Sequence, residues 1–224
     1  MPSALTSNES SFSYSFIRSY PDNKIFISAS PFDWLEASLF YSDIRTKESY
    51  YDISYKDKGI TLKTQLRDRP PYLSIGINDL GGTGYYGSEY IVMTDYISNI
   101  EYSFGLSWGM QSEGVTIKNP LHVFDDNFLS RDFETGEIGG QANFQNLFSG
   151  KQAAFFAGAK MTLENYNLVV EYDSTNLPGF VGYKPSSNRF SLGIEKSFKN
   201  FDLKVALSRN NTANFQITYN TNYL

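Results

Sequence analysis

At positions 100–110 the chain reads IEYSFGLSWGM, in which every even position from Ile100 to Met110 is apolar and the odd positions hold Glu, Ser or Gly. This is the period of a β-strand with one apolar and one polar face. The same alternation returns at 202–208 and at 214–220. Repeated strands of this kind, in a chain rich in Tyr and Phe, predict an all-β fold, a transmembrane antiparallel β-barrel.

The composition agrees with such a barrel. The 224 residues include 17% aromatic residues and no cysteine, and the mean hydropathy is −0.37, which suits strands that turn a polar face to a lumen. No run approaches the roughly 18 consecutive apolar residues of a membrane-spanning helix, so membrane insertion has to use strands. The net charge of −5 argues against a nucleic-acid partner. The length indicates one domain, residues 1–224.

The first residues do not form an export signal. Met1-Pro2-Ser3-Ala4-Leu5 is followed by a polar stretch, without a basic region or an apolar core. Because a barrel of the outer envelope is exported, we expect a leader to have been removed from this sequence. The alternative is that the chain is not exported and that the barrel interpretation is wrong.

Twelve strands are predicted, at 10–19, 23–31, 34–44, 53–67, 71–80, 88–97, 99–111, 151–164, 166–174, 188–198, 201–210 and 212–222. The connections after even-numbered strands are short. Most of those after odd-numbered strands are long, at 45–52, 81–87, 112–150 and 175–187, although 20–22 and 211 are tight. Short periplasmic turns and long extracellular loops are typical of outer-membrane barrels. The long segment 112–150 is expected either outside the cell or folded inward as a plug.

A soluble antiparallel sandwich or barrel is the rival interpretation, because its strands alternate in the same way but with the apolar face inward. Aromatic residues near the predicted strand ends favour the membrane, since such rings prefer the headgroup level of a bilayer. Trp34, Tyr96, Trp108 and Phe201 are examples.

If the polar faces line a lumen, twelve charged residues are predicted to face it: Lys24, Glu36, Lys63, Arg67, Asp95, Glu101, Lys160, Glu171, Asp173, Glu195, Asp202 and Lys204. Both signs are present. Such side chains either pair across the lumen in a structural network or border a narrow wet path.

Candidate chemistry is sparse. His122 is the only histidine, and no spacing signature supports a hydrolase triad around it, so no catalytic residue and no enzyme activity are predicted. Asp125, Asp126, Glu134 and Glu137 lack the ordered spacing of a calcium loop and are read as a solvated acidic loop, so no metal or cofactor is expected.

Residues 81–87 read GGTGYYG. The segment lacks the lysine of a nucleotide-binding loop, and no helix follows it. Its glycines instead suit a tight connection between two strands. Tyr85 and Tyr86 are candidates for stacking on sugar rings.

Four ordered stretches in the first 110 residues resemble a known family, the YjbH-like exopolysaccharide-biosynthesis and capsule-secretion outer-membrane β-barrel proteins. These stretches are Met1–Ala4, 31–37 (PFDWLEA), 57–63 (DKGITLK) and 79–84 (DLGGTG) followed by 88–90 (SEY). The resemblance implies a Gram-negative outer membrane and a role in polysaccharide export or surface assembly. It implies no catalytic residue, and members of the family are several times longer.

The sequence therefore predicts a non-enzymatic outer-membrane barrel that assists export of an extracellular polysaccharide. Its expected partners are membrane lipid and lipopolysaccharide, the polysaccharide itself and periplasmic export proteins. Three alternatives stay open: a porin for small solutes or oligosaccharides, an outer-membrane enzyme with a nucleophile near His122, and a non-conducting scaffold for a periplasmic export partner.

Overall fold

The computed structural model describes residues 1–19, 22–44, 55–131, 144–175, 188–208 and 212–223. Within these ranges the strands are β1 (Ser11–Ser19), β2 (Asp22–Phe32), β3 (Leu35–Ile44), β4 (Tyr55–Arg67), β5 (Tyr72–Leu80), β6 (Ser88–Ile97), β7 (Ile100–Ser107), β8 (Thr116–Lys118), β9 (Gln152–Thr162), β10 (Asn167–Tyr172), β11 (Phe190–Ser197), β12 (Phe201–Ser208) and β13 (Thr212–Asn222).

The twelve long strands form one closed antiparallel barrel. Sequential strands pair with each other, β7 pairs with β9, and β13 returns to pair with β1. Closure is direct, because Ser11 lies opposite Asn222 and the hydroxyls of Ser15 and Thr218 are 2.9 Å apart. The predicted number of strands and their order are confirmed.

The polarity of the barrel is inverted relative to a soluble protein. Inside, small polar side chains meet across neighbouring strands, as in Ser28 with Ser38 at 2.8 Å and Thr94 with Ser103 at 2.7 Å. Outside, large apolar side chains such as Leu39, Leu192 and Val205 are exposed. Because a soluble barrel turns its apolar face inward, the soluble alternative is contradicted and the transmembrane β-barrel fold is confirmed.

The short turns, the start of β1 and the end of β13 share one end of the barrel. Ser10 donates its backbone N–H to Ser30 O at 2.8 Å, and Tyr223 N donates to Ser10 O at 3.0 Å. The longer connections lie at the other end. Of the predicted connections there, 45–52 and 211 fall outside the described residues, as do most of 175–187 and part of 20–22.

Two details differ from the sequence prediction. The strand predicted at 99–111 ends at Ser107, because Gly109 has a φ of +67° and begins the 3-10 helix Gly109–Gln111. The short strand β8 was not predicted. It lies beside β9 where β10 has ended, with Thr116 opposite Ala154, and so extends the wall at the long-loop end.

Within the described residues, no helix has the length and apolar character needed to cross a membrane.

Candidate functional site in the lumen

The N-terminal segment, residues 1–10, runs into the barrel interior. From the short-turn end, Thr6 Oγ1 donates to Asp33 O and Glu9 N donates to Asp33 Oδ1, which fastens the segment to the β2–β3 turn. Further along, Ala4 is completely buried. The side chain of Met1 lies against Gly158 of β9, and its backbone nitrogen is 3.4 Å from Glu171 of β10. The segment thus occupies much of the lumen.

Four inward side chains of β4, β5 and β6 hold this segment by its backbone, and we name them the cradle: Lys63, Gln65, Ser74 and Thr94. Ala4 N donates to Thr94 Oγ1 at 2.8 Å. Ala4 O accepts from Ser74 Oγ at 2.7 Å and from Gln65 Nε2 at 3.0 Å, and Leu5 O accepts from Lys63 Nζ at 2.7 Å. These bonds satisfy backbone groups that burial would otherwise leave unpaired.

An apolar patch lies beside the cradle. Ala4 packs with Tyr90, Val92 and Phe156, and Tyr72 lies against the same cluster. The Tyr90 and Phe156 rings meet edge to face, with centroids 6.3 Å apart and planes at 87°. Within the described interior this patch is a buried apolar cluster, and Phe40 is a second buried apolar residue, whose ring contacts Phe26 and Tyr86.

The structure places most of the predicted lumen residues in ion pairs or hydrogen bonds on the inner wall. Lys63 is 3.3 Å from Glu36, Lys160 is 3.0 Å from Glu101, and Lys204 is 2.9 Å from Glu171. Each pair joins side chains of facing or nearby strands, as expected for a structural network.

Glu195 and Arg67 are also predicted to face the lumen, and they stand apart from those pairs. Glu195 accepts a hydrogen bond from Asn167 Nδ2 at 3.2 Å. Arg67 is exposed at the end of β4, where its Nη2 donates to Pro70 O at 3.2 Å in the following turn. Arg67 therefore stabilises the short-turn end of the barrel.

Space for a small polar group remains beside the N-terminal segment. One cavity of about 160 Å³ is bordered by Ser3 and by Glu101, Lys160, Glu195 and Lys204. A second, of about 140 Å³, lies nearer the long-loop end between Pro2, Gln111 and Asp173. The described lumen is therefore partly filled.

A cluster that sequence analysis did not predict lies at the long-loop end of β2, β4 and β5. Tyr86 donates its hydroxyl to Asp22 Oδ2 at 2.7 Å, and the Lys24 ammonium lies 3.4 Å from the centre of the Tyr86 ring. Asp57 Oδ1 accepts from Thr83 Oγ1 at 2.7 Å. Burial raises the pKa of the Tyr86 hydroxyl well above its usual value, so this hydroxyl remains a donor.

This cluster joins two of the stretches that carry the family resemblance. Asp57 begins one of them, and Asp79 and Thr83 belong to another. A Cβ on Gly82 would lie 1.7 Å from Asp79 Oδ1, so the loop approaches the carboxylate as only a glycine allows. Tyr86 is a packing residue in this structure, since its ring lies against Lys24 and Phe40. Sugar stacking by Tyr85 and Tyr86 stays a prediction.

The described part of the segment 112–150 packs over the rim of the barrel. Glu89 lies at an outward-facing position of β6, and its carboxylate is buried. Arg131 Nη1 donates to Glu89 Oε2 at 2.7 Å, and Arg131 Nη2 donates to Glu89 Oε1 at 3.0 Å. Asn119 Nδ2 donates to the carbonyls of Phe128, Phe148 and Gly150, and its Oδ1 accepts from Trp108 Nε1 at 3.0 Å. The segment is therefore anchored beside β6 and β7, whereas the N-terminal segment lies in the lumen.

The residues considered for catalysis have structural contacts. His122 Nδ1 is 2.6 Å from Asn119 O, and Asp125 caps the 3-10 helix Asp126–Leu129 by accepting from Asn127 N at 2.9 Å. Glu134 and Glu137 lie outside the described residues. Among the residues that are described, no group of three or more acidic or histidine side chains is arranged to hold a metal ion.

These features define a class: a closed porin-like β-barrel with a polar, partly filled lumen. A model of the YjbH family, "Exopolysaccharide biosynthesis protein YbjH", matches residues 1–224. The chain therefore belongs to this exopolysaccharide biosynthesis family, as the sequence resemblance predicted.

Comparison with known proteins agrees with both statements. The chain is 30% identical over 205 residues to "Uncharacterized lipoprotein YjbH" of Escherichia coli (strain K12), which covers 86% of this chain but only 29% of that protein. The solved "KdgM porin in complex with disordered oligogalacturonate" is similar in fold, with a TM-score of 0.54 and 8% identity over 96% of this chain and 99% of that one. The NanC porin has a TM-score of 0.43 and 7% identity over the same shares.

Sequence analysis missed the residues that bind segments to the barrel. It predicted the polar inner face but did not place residues 1–6 against it, although Ser74 and Thr94 are small and leave room for a backbone. Asn119, Arg131 and Glu89 carried no signal, because their pairing depends on a fold-back of about forty residues, well beyond the reach of local periodicity.

Proposed function

We propose that this chain is an outer-membrane β-barrel of a Gram-negative bacterium that assists export or surface assembly of an extracellular polysaccharide without catalysing a reaction. The observation that carries the proposal is the inverted polarity of the closed barrel, with Ser and Thr pairs inside and Leu39, Leu192 and Val205 exposed outside. Membership of the exopolysaccharide family supports the nature of the cargo. The chain spans about 29% of its Escherichia coli relative, so the role of the whole protein is part of the proposal.

The proposed mechanism is passive. Hydroxyl, amide and paired charged groups on the inner wall give a polymer many weak contacts that exchange readily with water. The KdgM porin, which shares the fold, was solved with oligogalacturonate, so a barrel of this architecture can hold a saccharide. Lipopolysaccharide around the apolar exterior and a periplasmic export protein at the short-turn end complete the proposed setting.

Heat modifiability tests the membrane part of the proposal. We expect detergent-refolded protein to migrate faster on a denaturing gel when unheated than when boiled, and to show β-type circular dichroism, because a closed barrel resists the detergent. A monomer that stays soluble without detergent contradicts the proposal.

Loss of export in cells tests the cargo. Deleting the gene in a producing strain should lower the polysaccharide at the cell surface or trap it in the periplasm, and the wild-type gene should restore it. The variant His122→Ala should restore it equally, because His122 contacts only its own loop in the contacts seen here. Unchanged amount and location of the polysaccharide after deletion contradict the export role.

A non-conducting scaffold is the second candidate, and the partly filled lumen favours it. Single-channel recording in planar bilayers separates the two. A conducting lumen predicts that neutralising Lys63 and Glu101 together, as Lys63→Gln and Glu101→Gln, changes the conductance, since both lie on the inner wall. Absence of any conductance in the wild type, with capture of a periplasmic partner, supports the scaffold.

A further inference from the structure

The cradle binds the N-terminal segment mainly through the segment's backbone, and one side-chain contact joins Thr6 Oγ1 to Gln65 Oε1 at 3.2 Å. Four hydrogen bonds of 2.7 to 3.0 Å reach Ala4 and Leu5, and none of them uses a side chain of the segment. In these four bonds the cradle offers one acceptor, Thr94 Oγ1, and three donors, on Lys63, Gln65 and Ser74, and the bonds do not depend on the side chains of the segment. A saccharide hydroxyl both donates and accepts, so it can meet either kind of group.

The apolar patch supplies the second element of a saccharide site. The methyl group of Ala4 is covered by Tyr90 and Phe156, with Tyr72 alongside. Pockets that orient small ligands combine aromatic or apolar surface with a few fixed polar groups. Here the two lie side by side, so a sugar ring that replaced Ala4 would place its C–H face on the rings and its hydroxyls on the cradle.

The charge of the cradle selects the class of saccharide. Lys63 is its charged member and is already paired with Glu36 at 3.3 Å. The ammonium donates to Leu5 O as well, which is an uncharged acceptor. Because the pair is balanced, the cradle offers no surplus positive charge to a carboxylate or sulfate group. It suits an uncharged saccharide.

We propose that the cradle and its apolar patch are a binding site for an uncharged saccharide, and that residues 1–6 occupy this site when no saccharide is bound. The inference rests on the proposed export function and names the cargo class and the resting state of that same lumen. Saccharide and segment compete for the same four side chains, so binding of one releases the other.

Cysteine labelling tests the competition, because the natural chain contains no cysteine and gives no background. Ala4→Cys places a thiol at the buried centre of the site, and Asn8→Cys places one on the exposed part of the same segment as a matched control. Both refolded variants are treated in micelles with a membrane-impermeant maleimide. They are tested alone, with a pool of neutral gluco-, galacto- and manno-oligosaccharides, or with oligogalacturonate.

We expect Ala4→Cys alone to react at least about tenfold more slowly than Asn8→Cys, because labelling follows the open fraction of the site. The neutral pool should bring its rate close to that of the control, and oligogalacturonate should not. Ser74→Ala in the Ala4→Cys background should raise the rate without any saccharide, because one hydrogen bond to the segment is lost.

Three results overturn the inference. Equal rates for both thiols without saccharide place the segment outside the lumen. A slow rate that the neutral pool leaves unchanged removes the competition, and equal acceleration by oligogalacturonate removes the preference for uncharged sugars. Heat modifiability of each variant is measured first. A variant that forms no barrel counts against the proposed function, whereas a variant that forms a barrel but shows no competition counts against the saccharide site.

Discussion

Two walls of the same barrel differ in what their polar faces meet. On β3–β7 many inward residues are small and buried, such as Ser74, Thr94 and Ser103, and the N-terminal segment bonds to Ser74 and Thr94. On β11–β13 several inward residues are long, such as Glu195, Lys204 and Gln216, and none of the described residues of these strands is buried. We name these the filled wall and the open wall.

The difference shows how one alternating pattern can serve two purposes. Alternation decides which face is inside, and it is the same on both walls. The size of the inward side chain decides what else fits: a small hydroxyl leaves room for a second backbone, whereas a long charged side chain fills the space itself. Close packing and stability should therefore concentrate on the filled wall, and four measurements test this.

The largest difference in the free energy of unfolding is expected when one cationic side chain is removed beside each wall. Beside the filled wall, Arg131→Met leaves the buried Glu89 carboxylate without its bidentate partner, and the expected loss is about 3–5 kcal/mol in the free energy of unfolding. Lys204→Met is the matched change on the open wall, where Glu171 is partly exposed, and it should cost below about 1 kcal/mol. Guanidinium titration of refolded protein in micelles, followed by fluorescence, measures both. Equal losses in the two variants would contradict the proposed difference in stability between the filled wall and the open wall.

Adding one methyl group to each wall should give the next largest difference. A Cβ on Gly105 would lie 2.3 Å from the Phe156 ring and 2.5 Å from the carbonyl oxygen of Ile91. Gly105→Ala should therefore cost about 1–3 kcal/mol through overpacking. On the open wall a Cβ on Gly193 would lie 3.1 Å from the Ala206 methyl, so Gly193→Ala should cost less. The same denaturant titration ranks the two, and a reversed order contradicts the assignment of the walls.

The Tyr86 hydroxyl allows a pH test on the filled side. Tyr86→Phe removes the donor to the buried Asp22 and should cost about 1–2 kcal/mol at neutral pH. Tyr219→Phe, on an exposed side chain of β13, should cost little.

The sign of the pH dependence follows from the raised pKa of Tyr86. The unfolded chain releases this proton near pH 10, the ordinary value, while the folded chain still holds it, so wild-type stability falls as the pH rises above about 10. The gap between wild type and Tyr86→Phe should then narrow. Unfolding titrations at pH 8 to about 11 measure the gap, and a gap that widens contradicts the burial of this hydroxyl.

The smallest effect is expected between the two walls, beside β9. Lys160 of β9 pairs with Glu101 of β7 at 3.0 Å, but its side chain is about one third exposed. Lys160→Gln should cost about 0–1 kcal/mol, and the loss should shrink further at high salt. Unfolding titrations at low and high ionic strength provide the test. A salt-independent loss above about 2 kcal/mol would mean that the lumen excludes water at this point.

The sequence predicted much of the fold for a physical reason that particular strands illustrate. Ile100 to Ser107 and Phe201 to Ser208 were both found where alternation placed them, because a side chain's direction in a strand depends only on its position. Where alternation stopped being informative, the prediction was wrong. Trp108 and Met110 continue the apolar pattern, but the positive φ of Gly109 turns the chain out of the strand.

The candidate site was predicted in part. The ion pairs of Glu101, Lys160, Glu171 and Lys204 follow from the inward register of their strands. The cradle does not, since Ser74 and Thr94 differ in no local respect from other small polar residues of an inner face. Their role arises from residues 1–6, which meet them across about seventy to ninety positions of sequence, and no pattern of short period carries that information.

The pairing of β1 with β13 also governs how this molecule is made. Because β1 pairs with β13, with Ser11 opposite Asn222, one edge of β1 stays unpaired until β13 has been synthesised about 200 residues later. Contacts so distant in sequence form slowly, and an open edge invites pairing with other chains during the delay. A cell that produces this barrel must therefore shield β1 in transit, and a chain that lost β13 would leave two permanent edges and aggregate. This architecture is therefore most exposed to aggregation during assembly, before β13 closes the barrel.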